Sequence, residues 1–243
     1  MKKFYFLIIS LVFLGCSTSI STKLTNSSYQ NLESNIQVLV IEKNDTLPDE
    51  SEFIGDIKVG DTGFTVNCGY DKVLEDVTNA AKKSGANIVQ IVEVKQPTTF
   101  GSSCYRITAK MYRNLNSELL LNHNESNKLK NKSRLPEDAD YAVIHFYRPK
   151  SGLGALLGYK IKTINDSVIG RLRNGEKFVF KTNKFGLQKF YASIETKEEI
   201  EINVEKGQEY FVKCGIKMGV AAGRPEINLV ENYIGIKEFD LLE

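Results

Sequence analysis

The chain has 243 residues, 42% of them hydrophobic and 26% charged, with 32 lysines and arginines against 30 aspartates and glutamates. Those fractions belong to ordinary globular protein, and a formal charge of +2 carries none of the basic excess that nucleic-acid binding requires. The length suits two ordinary domains, and no apolar run reaches the ~20 residues of a membrane-spanning helix.

Lys2 and Lys3 open the chain and precede an apolar run from Phe4 to Leu14 broken only by Ser10. A helix of that length reaches about 17 Å, well short of a ~30 Å hydrocarbon core. A charged start and a short apolar middle have the form of a secretory signal over residues 1–15. The ending "FLGCSTS", with small Gly15 before Cys16, resembles a bacterial lipobox. That resemblance implies that Cys16 is acylated and becomes the mature first residue. A cleaved signal followed by an incidental cysteine is the alternative. Ser17 supplies no acidic inner-membrane retention signal, so the expected location is the outer membrane, with the protein facing either side of it. Export also places the cysteines where they can oxidise.

Residues 16–34, "CSTSISTKLTNSSYQNLES", are rich in Ser, Thr and Asn without an apolar period. They read as a flexible tether with an r.m.s. reach of roughly 23 Å. The first folded block follows over 35–114. "IQVLVIEK" and "EFIGDIKVG" are β-rich runs. In "YDKVLEDVTNAAKKSGA", Val73, Leu74, Val77, Ala80 and Ala81 share one helical face. Asp71 near the start, Lys82 and Lys83 in the last turn and Gly85 beyond them suit a helix dipole and its closing turn. "NIVQIVEV" and "YRITAKMYR" read as two further strands. A ββαββ layer buries the helix stripe most simply. Cys68 precedes the helix and Cys104 opens the last strand. A disulfide between them would contribute roughly 3 to 4 kcal/mol by closing its loop. Two separate thiols or a two-thiolate metal site are the alternatives, although no CxxC or nearby His supplies further ligands.

The stretch "IGDIKVGDTGFTVNCGYDKVLEDVTNAAKKSGANIVQIVEV" with "SSCYRITAKMYR" resembles the periplasmic domain of the lipoprotein that senses envelope damage for the Rcs phosphorelay. The "AKKSGAN" helix exit and the flanking cysteines carry that resemblance. It implies a shared α/β scaffold in an envelope protein.

Residues 115–138 read as a linker, with almost no apolar residue between Asn122 and Ser133. On that composition the two blocks are expected to fold independently. The second block, 139–243, is a succession of short strands: "YAVIHFYR", a hairpin "YKIKTINDSVIGRL" turning at Asn165 and Asp166, "EKFVFKTN", "LQKFYASIE", "EEIEINVEKGQEYFVKCGI" and "NYIGIKEFDLL". The predicted fold class is therefore α+β, a ββαββ domain followed by an antiparallel β-sandwich. "AVIHFYRP", "TINDSVIGRLRNGEKFVF", "FGLQKFYASIE" and "INVEKGQEYFVK" resemble a small all-β domain of unknown function common on bacterial lipoproteins. That likeness implies a fold and an envelope setting.

Catalytic signatures are scarce. His123 lies in the linker and His145 in mid-strand, and no GxSxG, HExxH or GxxxxGK[ST] pattern occurs. No catalytic residue, metal site or cofactor is expected, and Cys214 should be a buried free thiol. The loop "RPKSGLGALLGYK" presents Leu153, Leu156 and Leu157 as an apolar tip for contact with a partner or the bilayer. The leading function is a lipid-anchored, non-enzymatic envelope module, touching the membrane through its anchor and binding an envelope protein or wall component within stress sensing. An envelope hydrolase with an unrecognised site is the alternative.

Overall fold

The computed structural model describes residues 18–25, 29–33, 36–63, 68–116, 118, 120 and 132–243. The signal expected over 1–15, the cysteine expected to be acylated, Cys16, and most of the expected linker core lie outside the described residues. The protein is mostly β-sheet with two long helices among those residues, an α+β chain containing several antiparallel pairings.

The elements, in chain order, are β1 (Ser19–Leu24), β2 (Leu39–Ile41), β3 (Glu52–Gly60), α1 (Tyr70–Lys83), β4 (Ile88–Lys95) and β5 (Arg106–Arg113). There follow β6 (Ala142–Tyr147), β7 (Tyr159–Thr163), β8 (Val168–Leu172), β9 (Lys177–Thr182), β10 (Gly186–Ser193), β11 (Lys197–Val204), β12 (Glu209–Lys217), β13 (Arg224–Val230) and α2 (Asn232–Leu241).

Strands β1 to β5 form one sheet in the order β1-β3-β5-β4-β2, with β2 parallel to β4. Helix α1 buries Val73, Leu74, Val77, Ala80 and Ala81 against it, the stripe expected from the sequence. Gly85 closes the helix at φ +82°, a left-handed conformation in which a side chain would also strike Gln30 O and Tyr29 Cβ.

The stretch expected to be a tether is not one where it is described. Ser19 to Leu24 pair with Gly60 to Gly55, adding β1 to the sheet edge. Thr25 N then donates to Ile54 O at 3.0 Å, and Leu32 N to Lys82 O at 2.9 Å. The side chains of β1 are mostly exposed, so main-chain pairing holds the strand and hydropathy carries no trace of it.

The second half contains two four-stranded sheets, β11-β10-β7-β8 and β13-β12-β6-β9. Both feed one core: Ala142, Ile144, Phe146, Val212 and Cys214 from the second meet Tyr159, Ile161, Phe190 and Ile202 from the first. The pairing is not wholly antiparallel, because β6 and β12 run parallel. "RPEINLV", absent from the expected strands, forms the edge strand β13 and pairs with β12. Pro225 fits there because an edge strand leaves one row of N–H groups unpaired.

"NYIGIKEFDLL" is a helix rather than a strand. Ile234, Gly235 and Glu238 are buried in α2 and Leu242 just after it, at i, i+1, i+4 and i+8, the spacing of one helical face. Gly235 permits the docking, since a Cβ there would overlap the Phe211 ring. Helix α2 lies between the halves: Ile234 joins the core under α1, whereas Tyr147, Phe211 and Leu242 form a cluster with Ile236 and Phe239. Lys237 pairs with Glu42 at 2.7 Å, and Lys177 Nζ donates to Phe239 O at 3.0 Å. The two halves are thus joined by a packed helix from the chain's far end as well as by the linker.

Candidate functional site

The loop between β6 and β7 begins at Arg148, which continues the core-facing alternation of Ala142, Ile144 and Phe146. Its guanidinium therefore points inward and is 1% exposed. Arg148 donates to Leu157 O and to Gly154 O, each at 2.7 Å, and its Cζ lies 5.9 Å from the Tyr159 ring centre. Burial lowers its pKa from the ordinary arginine value. Gly154, at φ +66°, packs so closely on Ile216 that a Cβ would sit 2.9 Å from three of its atoms. The loop is therefore pinned from inside. Leu153 and Leu156 are left outward, at 46% and 101% exposure. Leu157 departs from the expectation of an apolar tip: it is half-buried and packs on the core of the second half. The same turn that exposes Leu156 tucks its neighbour under.

The loop from Met218 to Gly223 lies at the same end. A Cβ on Gly223 would be 3.6 Å from Leu157 Cδ1. The Glu195 carboxylate accepts hydrogen bonds from the amides of Val220 (2.9 Å), Ala221 and Ala222. Successive amides turned toward one anion form a nest, and those of Ala222, Ala221 and Val220 hold the Glu195 pKa down at about 2. Val220 and Met218 project at 91% and 79% exposure.

A third loop, residues 97–103, comes from the first half and is closed by Thr98 N donating to Ser102 O at 2.9 Å. Phe100 at its tip is fully exposed. Asn174 Nδ2 reaches Thr99 Oγ1 at 3.4 Å, and Thr99 O is 3.8 Å from where a Gly152 Cβ would stand, so this loop abuts the β6–β7 loop and the β8–β9 turn. Cys104 follows the loop and is joined to Cys68, with their Cα atoms 5.0 Å apart. Beside Phe100 opens a cleft of about 780 Å³, lined among others by Ser19, Ser21, Lys58, Asp61, Ser102 and Arg106.

The titratable clusters lie elsewhere and inside. Glu209 accepts from Arg134 N at 2.9 Å and Arg134 Nε at 2.9 Å, and its Oε2 is 3.1 Å from His145 Nε2. Burial pushes the Glu209 pKa up, but hydrogen bonds from His145 and Arg134 outweigh it and hold the group at about 2. The His145 ring stacks on Phe211 at 4.4 Å, with Phe239 edge-on at 4.9 Å. Glu238, fully buried, receives Tyr147 OH at 2.6 Å, Lys213 Nζ at 2.7 Å and Tyr70 N, the first amide of α1, at 3.3 Å. Both clusters are closed by aromatic rings or by α2, so each acts as an interior joint. Cys214 is free and buried, and burial raises its pKa to about 12, which keeps it a thiol. No group of three or more His, Cys, Asp and Glu suited to a metal ion occurs among the described residues.

Leu153 and Leu156 thus join a rim with Phe100, Met218 and Val220, whereas Leu157 belongs to the core. Sequence reading missed Phe100, Met218 and Val220 as rim residues, and Arg148 and Glu195 as the groups that fix the loops. Arg148 carried a signal, its place in the inward alternation of β6; the nest around Glu195 carried none, since it depends on a contact across 25 residues. The chain matches no family model, no curated protein and no solved structure.

Proposed function

We propose that this chain is a lipid-anchored protein of the bacterial outer membrane, attached at Cys16, that acts by binding through its loop end and not by turnover. In this reading the first half is a ββαββ layer widened by β1 and related to the Rcs stress-sensor domain. The second half is a β-sandwich of the kind found on envelope lipoproteins. The observation that carries the reading is the rim itself. Apolar side chains are normally exposed singly; here Phe100, Leu153, Leu156, Met218 and Val220 sit on three loops, of which the β6–β7 loop touches each of the other two. Arg148 and Glu195 clamp two of those loops, so presenting the rim costs little ordering on contact. The Cys68–Cys104 link steadies the third.

Two measurements test this. The mature protein should begin at a Cys16 carrying the mass of attached lipid, and Cys16→Ala should leave the membrane fraction. Unchanged membrane retention would sink the anchor. A photoreactive side chain at position 156 should capture a neighbour in cells, whereas one at position 187, at the far end of β10 from Glu195, should not. Equal capture at both would sink the loop end as the contact surface.

A further inference from the structure

We propose that the occupant of the loop end is the bilayer that carries the anchor: Phe100, Leu153 and Leu156 dip into its interface. This names the partner for the surface proposed above and rests on that reading. The argument starts from β1. Ser19 sits opposite Gly60, and it lines the same cleft as Gly101 and Ser102, the two residues that follow Phe100 along the 97–103 loop. Thr18 Oγ1 is held by the Asp76 carboxylate at 2.5 Å, so the chain is already fixed one residue earlier. Only Ser17 and Thr18 separate Cys16 from Ser19. At ~3.5 Å per residue, Cys16 cannot lie more than about 11 Å from Ser19.

A tether of 18 residues would have let a partner protein stand between the domain and the membrane. One this short leaves no room for such a layer. The end of the fold that carries Phe100 and the cleft is held within roughly the depth of a lipid headgroup zone. Leucine and phenylalanine on a fixed surface are side chains that partition into that zone, and an acyl anchor gains its hold from a second, weaker membrane contact. Lys58 and Arg106 line the cleft beside Asp61 and supply it with cations of the kind that attract lipid phosphates. Tethering raises the local lipid concentration so far that a few side chains suffice.

The chain has no tryptophan, so a single introduced one reports its own surroundings. The acylated full chain carrying Leu156→Trp, and separately Phe100→Trp, would be reconstituted into vesicles of phosphatidylethanolamine and phosphatidylglycerol with brominated acyl chains. Leu187→Trp serves as the reference away from the rim. Emission from positions 156 and 100 should shift to shorter wavelength and be quenched several-fold more than emission from position 187. With Cys16 acylation confirmed by mass, equal quenching at all three positions would overturn the docking while leaving the anchor intact. If the mass shows no acyl group, the anchor fails on its own, and quenching of the same variants on added vesicles still decides the contact. Phe100→Trp changes one aromatic for another on an open surface, so it keeps the test valid should Leu156→Trp misfold.

Discussion

The joint beneath α2 and the loop end invert each other's chemistry. At the joint, charge is inside: Glu238 is fully buried and shares its oxygens among Tyr147, Lys213 and the first amide of α1. At the loop end, apolar side chains are outside, and charged groups hold the backbone behind them. A buried carboxylate survives only when its hydrogen bonds are complete, so the joint is built for cohesion. The rim gains nothing for the fold by exposing Leu156 and Phe100. The difference separates residues that serve stability from residues available for contact.

Breaking the joint should give the largest effect. Glu238→Ala strands the Tyr147 hydroxyl, leaves the Lys213 ammonium with Asp71 at 3.7 Å in place of its closer carboxylate, and removes the carboxylate from the start of α1. A loss of about 3–5 kcal/mol is expected, read by denaturant unfolding, with Glu238→Gln losing less. Because Ile234 and Glu238 reach both halves, they should unfold together in the wild type. Separate transitions would restore the independence expected from the linker's composition.

Acid should weaken the other interior cluster next. The folded pKa of Glu209 is depressed to about 2, below the ordinary glutamate value of about 4.3. Its contribution is therefore fully present above about pH 4.3 and is lost as pH falls through about 2, worth on the order of 2–3 kcal/mol. Thermal midpoints of wild type and Glu209→Gln should differ at neutral pH and converge toward pH 2. A gap unchanged across that range would remove Glu209 from the account.

The finest contrast separates two adjacent leucines. Leu157 packs on the core and Leu156 does not. Leu157→Ala should cost about 1–2 kcal/mol, reduced because the site is only half-buried, and Leu156→Ala within about 0.5 kcal/mol. Equal costs, by chemical denaturation, would erase the distinction between rim and core.

Helix α1 was legible because its apolar stripe, acidic start and basic end agree with one another and with Gly85. So were strands β2 to β12, each lying, to within a residue at its ends, in a run whose alternation or apolar density reads as β. Three elements were not. β1 is a polar edge strand held by its backbone. β13 begins with Arg224 and Pro225, and a proline weakens any strand signal because it cannot donate to a ladder. α2 contains Ile234, Gly235 and Ile236, poor helix formers without a side-chain cap, and tertiary packing on Phe211 decides its form. At the candidate site, Leu153 and Leu156 were visible as an apolar loop. Phe100, Met218 and Val220 joined them only once the fold had brought three distant loops together.

The central claim is that the loop end faces the membrane, and hydrogen exchange tests it most directly. Peptides covering residues 97–103, 150–158 and 218–223 should exchange more slowly in the acylated protein on vesicles than in Cys16→Ala free in solution. Peptides from Gly186 to Lys189, at the opposite end of β10, should exchange alike in both. Protection spread evenly over the two ends, or confined to the Gly186 end, would contradict the account.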